Sequence, residues 1–236
     1  MTSTPMPSPP SESFVRTWIG ALTKPREETY AAIGASPKAK AMTGYLWIFL
    51  TSIVTSAVTF LAQSTQITQQ LEGSGMSLDE VGSIPGGIVV ALLCSAPFVA
   101  VFAALFFAIW TALIQWIAKM FGGTGNNDRL AYTLAAISAP YSLVSAVFVA
   151  LSAIPYVGFC FSAILGLGGL YVLVLEVMAI KGTNRFGWGP AIGAYAIPGI
   201  AVFLVCCCAV AVLTSVMGLA LGDVWSTINE SMIGIQ

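Results

Sequence analysis

The sequence predicts an all-α integral membrane protein with five transmembrane helices, preceded by short cytoplasmic amphipathic helices. Three observations carry this. Hydrophobic residues make up 57% of the chain and charged residues 8%, whereas a soluble domain carries roughly a quarter charged residues to hydrate its surface. The mean hydropathy is +0.89, and the apolar residues fall into runs of membrane-spanning length, about 20 residues or more. Finally, threading five spans places every Lys and Arg on the same side.

Met1 to Ser13 is rich in Pro, Ser and Thr and reads as a disordered tail. It does not read as a secretory signal, because no apolar core follows directly and nothing basic precedes it. Residues 14–42 then read as cytoplasmic juxtamembrane helices. Phe14, Val15, Trp18, Ile19 and Leu22 recur at helical spacing, which predicts an amphipathic helix lying in the membrane interface. Pro25 suits the first turn of a second helix, with Glu27 and Glu28 near its N-terminus; it ends near Gly34 to Pro37. These helices pack on the span ends or dock a cytosolic partner.

Residues 43–221 form the membrane domain. The first span covers about Gly44 to Ala62, with Tyr45 and Trp47 as interfacial aromatics. The polar stretch Gln63 to Ser83 follows, where Ser77 and Glu80 have capping-box spacing. The second span covers about Val89 to Ala118, and Pro97 marks an expected kink or break near its start. Gly122 to Arg129 (GGTGNNDR) is a turn by composition, with Asn127 or Asp128 capping the third span. A phosphate-cradling loop is disfavoured, since GxxxxGK[ST] after a strand is missing. The third span, about Leu130 to Ile154, contains Pro140. A tight connection at Pro155 to Gly158 leads to the fourth, about Val157 to Ile180. The fifth, about Ala191 to Leu221, contains Pro198. Residues 222–236 read as a short extracytoplasmic tail.

Arg16, Lys24, Arg26, Lys38 and Lys40 precede the first span, Lys119 and Arg129 flank the second loop, and Lys181 and Arg185 occupy the fourth. Basic residues near span ends resist translocation. Five spans with the N-terminus cytoplasmic and the C-terminus extracytoplasmic satisfy all nine basic residues, and the expected location is the cell membrane.

The chemistry is largely one of exclusion. With no histidine, HExxH and Ser-His proteolysis are ruled out, and Asp79, Asp128 and Asp223 all fall in loops or the tail. No cofactor or metal is expected. The net charge of -1 gives no nucleic-acid footprint. Cys206, Cys207 and Cys208 point in different directions on one helix, about 100° apart, and read as packing; Cys94 and Cys160 share the outer leaflet, which leaves a bridge between them open. Gly158, Gly166, Gly168, Gly169 and Gly193, with Ala194, predict close helix contacts, and Ser138, Ser142 and Ser145 predict interhelical hydrogen bonds. Glu176 is the clear intramembrane acid. It reads either as an interfacial carboxylate paired with Lys181, Lys119 or Arg185, or as a proton- or cation-handling site.

The segments WIGALTKPREETYAAI (Trp18 to Ile33) and FGGTGNNDRLAYTLAAISAPYSLV (Phe121 to Val144), with the fourth span and its following loop, resemble the Yip1 domain family, named for proteins that interact with Ypt GTPases. The longer cytoplasmic region and the Asp-Leu-Tyr-Gly-Pro motif of the eukaryotic trafficking members are missing, so the chain looks like the prokaryotic branch. The resemblance implies a five-helix, non-enzymatic membrane domain concerned with membrane organisation or partner binding. Expected partners are membrane lipids and an unidentified membrane or cytosolic protein, with a second copy of the chain also compatible. The expected contact residues are Phe14, Trp18, Leu22, Pro25 and Arg26 in the N-terminal helices and Asn127 and Asp128 in the loop. The rival expectation is a small transporter or channel component that uses Glu176.

Overall fold

Among the described residues, five helices are long and apolar enough to cross a membrane: Ala41–Gln63, Cys94–Met120, Asn127–Ser152, Gly158–Asn184 and Trp188–Ser215. The computed structural model describes residues 13–73, 84–152, 154 and 158–233, with backbone alone for 64–73, 84–89, 91–93 and 216–233. The expected tail before Ser13, the Ser77 capping box and the Pro155 to Val157 connection lie outside the described residues. All regular structure among the described residues is helical: α1 (Phe14–Thr23), α2 (Glu27–Ala35), α3 (Ala41–Gly73), α4 (Ile84–Met120), α5 (Asn127–Ser152), α6 (Gly158–Asn184) and α7 (Trp188–Ile233).

Two boundaries lie furthest from the sequence reading. Helix α3 continues past the expected span end at Ala62 to Gly73. The stretch QSTQITQQLEG is polar but mostly built of good helix formers, and extending an existing helix avoids the cost of nucleation. Helix α7 likewise runs to Ile233, through residues read as a tail. Pro97, Pro140 and Pro198 all sit inside continuous helices, so the break expected at Pro97 is not there. Spanning helices tolerate proline because neighbouring groups satisfy the freed carbonyl.

The chain divides after Ala194. In the unit up to Ala194, α5 is central. Residues Leu130 to Ile137 are buried on every side, as a helix apolar all round requires. Helix α3 packs on α4 and α5, and α6 packs on α5. Gly44 lets α3 close on α5, since a Cβ there would lie 3.0 Å from the Ala131 carbonyl oxygen and 3.1 Å from the Ala135 Cβ. The second unit, from Tyr195 onward, is the rest of α7.

Candidate functional site

The helix ends that carry the basic residues meet at one end of the first unit, where α1, α2 and the loop Gly122 to Asn126 are fastened to them. Helix α1 starts where Ser13 adopts an extended conformation and its hydroxyl accepts from the Arg16 N–H at 3.4 Å. Thr17 and Ala21 are buried on the bundle side. Trp18 is half-buried and stands edge-on to Phe14 at 5.4 Å and to Trp47 at 5.6 Å. Trp47 in turn meets Tyr132 at 4.9 Å, so an aromatic ladder ties α1 to α3 and α5.

The last carbonyls of a helix have no partner within it. In α1, Gly20 O accepts from the Lys24 N–H at 3.1 Å. Ala21 O accepts from the Tyr30 hydroxyl at 2.9 Å and Leu22 O from the Tyr171 hydroxyl at 2.7 Å. Tyr30 is completely buried. Burial, with a smaller contribution from Tyr171, holds its phenol well above the usual tyrosine range, so it remains a donor.

Helix α2 is capped by Arg26 in an extended conformation. Pro25 therefore precedes the cap and does not lie in the first turn as the sequence suggested. Glu27 lies 2.6 Å from Lys181, and the same ammonium sits 4.8 Å from the Trp188 ring centroid. Gly182 lets α2 seat on α6: a Cβ there would come within 2.7 Å of the Glu27 carbonyl oxygen. At its other end Gly34 abuts Thr133 and Arg129 of α5, so α2 bridges the two spans.

The loop is locked by Asn184, which is fully buried. Gln115 Nε2 donates to Gly125 O and to Asn184 Oδ1, each at 3.0 Å. The Thr124 N–H donates to Asn184 O at 3.1 Å. Gly123 and Gly125 lie so close that a Cβ would fall 2.8 and 2.6 Å from Asn184 Oδ1, and Gly122 takes φ +84°, a conformation glycine adopts freely.

The α5 cap is Asn126, whose Oδ1 accepts from the Arg129 N–H at 2.9 Å, rather than Asn127 or Asp128. Those two act between helices: Asn127 Nδ2 donates to the Tyr45 hydroxyl at 3.2 Å, and Asp128 Oδ1 accepts from the Ala41 N–H at 3.2 Å, capping α3. Of the expected contact residues, Phe14, Pro25, Arg26 and Asp128 are exposed, while Trp18, Leu22 and Asn127 are half-buried.

Glu176 is half-buried between α5 and α6, where Ser138 Oγ donates to its Oε1 at 2.9 Å. Lys181, five residues on, is ion-paired with Glu27 of α2. Ser142 and Ser145 bond to carbonyls of their own helix. Cys94, Cys160, Cys206, Cys207 and Cys208 are all free and exposed. Of the glycines expected to allow close contacts, Gly168 meets Tyr141 and Gly193 meets Phe121, whereas nothing lies near Gly166. Sequence reasoning missed Gln115, Asn184 and Tyr30. The first two were visible as lone amides in or beside apolar runs, the usual signature of an interhelical hydrogen bond.

No curated protein and no solved structure matches the chain. The family model of the Yip1 domain matches residues 19–219, nearly the whole of the fastened structure described above. The chain is an integral membrane protein that belongs to the Yip1 domain family.

Proposed function

We propose that this protein is a non-enzymatic membrane scaffold of the Yip1 type, with its N-terminus cytoplasmic and its C-terminus outside. It works in the cell membrane by binding lipids and a protein partner through the basic end. The observation that carries the reading is the fastening of α1, α2 and the loop into one surface by Tyr30, Tyr171, Gln115, Asn184 and the Glu27–Lys181 pair. A binding surface held rigid before contact loses less entropy on association. Arg26, Glu28, Asp128 and Arg129 are exposed on it, so it offers charge to a partner. The test is crosslinking in native membranes followed by affinity purification and mass spectrometry. A reproducible partner that is lost in Arg26→Glu/Arg129→Glu protein supports the reading. Recovery of the same proteins from wild type and variant removes it.

A second reading has its own observation: Glu176 is hydrogen-bonded between two spans, as a proton- or cation-handling site in a small transporter would be. Liposome flux that falls clearly on Glu176→Gln would favour it, and unchanged flux would dispose of it.

A further inference from the structure

The attachment points of α1 lie well inside the spans. Trp18 packs on Trp47 and on the cluster of Ile48, Ala135 and Ala139. At 1.5 Å per residue these positions lie roughly 9 to 18 Å along α3 and α5 from their basic ends. Leu22 meets Tyr171, whose Cα is about 20 Å along α6 from its basic end. Helices α5 and α6, of 26 and 27 residues, exceed the ~30 Å hydrocarbon layer by only a few ångströms at each end. The contacts of α1 therefore fall below the headgroups. Helix α2 is joined to α6 at Lys181 and Gly182, one layer nearer the basic end, so α1 lies beneath α2.

The polar groups of α1 agree with that depth. At its C-terminus the carbonyls of Gly20, Ala21 and Leu22 are all satisfied by protein donors, two of them tyrosine hydroxyls, and the Thr23 hydroxyl bonds back to Ile19 O at 2.6 Å. Such internal satisfaction is required where water is missing. The outer edge of α1 remains apolar: Phe14, Val15 and Ile19 are 56, 46 and 57% exposed. Leu46 of α3, next to Trp47, and Leu170 of α6, next to Tyr171, are exposed apolar residues as well.

We infer that α1 is an intramembrane helix in the acyl-chain layer of the leaflet at the basic end, with Phe14, Val15 and Ile19 against lipid chains. Exposed Arg16 reaches back to headgroup phosphates along its aliphatic stem. This deepens the proposed scaffold function, on which it rests, by giving α1 to lipid and leaving α2 and the loop for protein.

The experiment uses the full-length protein, purified without partners, in nanodiscs of phosphatidylcholine and phosphatidylglycerol. In a background with the five native cysteines replaced by Ala, spin labels are placed at Val15→Cys, Ile19→Cys and, as reference, Glu28→Cys. The labels at 15 and 19 are expected to collide several-fold more with oxygen than with a water-soluble nickel chelate, and the label at 28 to show the reverse. Nickel access at 15 and 19 equal to that at 28 overturns the inference and leaves α1 as a water-facing docking helix. Wild-type protein provides a check that needs no substitution. A phospholipid carrying a diazirine deep in its acyl chain should label the Phe14 to Lys24 peptide as it labels the spans. Labelled spans with an unlabelled α1 peptide also overturn it. Neither readout depends on a partner, so loss of the partner in the crosslinking experiment is a separate failure.

Discussion

Tyr30 and Asn184 do more at the basic end than any charged residue there. Each is fully buried, and each satisfies groups from another part of the chain. Tyr30→Phe removes the donor to Ala21 O and strands a buried carbonyl, which costs about 1–3 kcal/mol. It should appear as a lower thermal midpoint in detergent. The same residue gives a pH prediction. Its raised folded-state pKa, set against the ordinary value of 10.0, means that the folded state holds the proton more tightly. That stability is present below about pH 10 and is lost as pH rises further. The midpoint gap between wild type and Tyr30→Phe should therefore narrow above pH 10, and a constant gap would show that the phenol is not the cause. Gly125→Ala drives a methyl against Asn184 Oδ1 and, at 2.9 Å, the Thr183 carbonyl oxygen. With backbone on one side, overpacking should cost about 1–3 kcal/mol, again read as a lower midpoint. The Glu27–Lys181 pair is partly exposed, so Lys181→Met should cost only about 0–1 kcal/mol, less than either change above.

The elements were legible in the sequence where physics is local, and illegible where it is not. Helix α1 followed from the spacing of Phe14, Trp18 and Leu22, and the five spans followed from apolar length. The caps did not follow. Asn126 rather than Asp128 caps α5 because Asp128 has a long-range use: it accepts from the Ala41 N–H that opens α3. Asp128→Ala should therefore fray the first turn of α3 rather than that of α5, at a cost of about 0.5–2 kcal/mol. Amide exchange should rise at Ala41 to Gly44 and stay unchanged at Leu130 to Thr133; the opposite pattern would restore the local cap. Lys181 shows the same limit. Helix α2 delivers Glu27 to its ammonium, and no periodicity reports that. The depth inferred for α1 is not legible in the sequence for a related reason. Its amphipathic pattern is the same whether its apolar edge rests on the interface or sits under it, and only the contacts with Trp47 and Tyr171 bear on the choice.

At the scale of the molecule, the family assignment covers residues 19–219 and the five spans are plain in length and composition. The functional account depends on which side of the membrane holds the basic end. The nine Lys and Arg residues argue for the cytoplasm, and an odd number of spans then puts the two termini on opposite sides. The most direct test is a two-sided thiol-accessibility map of the full chain in sealed membranes, in the cysteine-free background. Single cysteines replace Glu28 and Arg129 at the basic end and Glu230 towards the C-terminus, with a membrane-impermeant maleimide added before and after lysis. The account predicts that the cysteines at 28 and 129 react only after lysis and the one at 230 reacts in intact cells. Reaction of all three from the same side would contradict five spans, and reaction of 28 and 129 in intact cells would place the basic end outside and end the cytoplasmic scaffold reading.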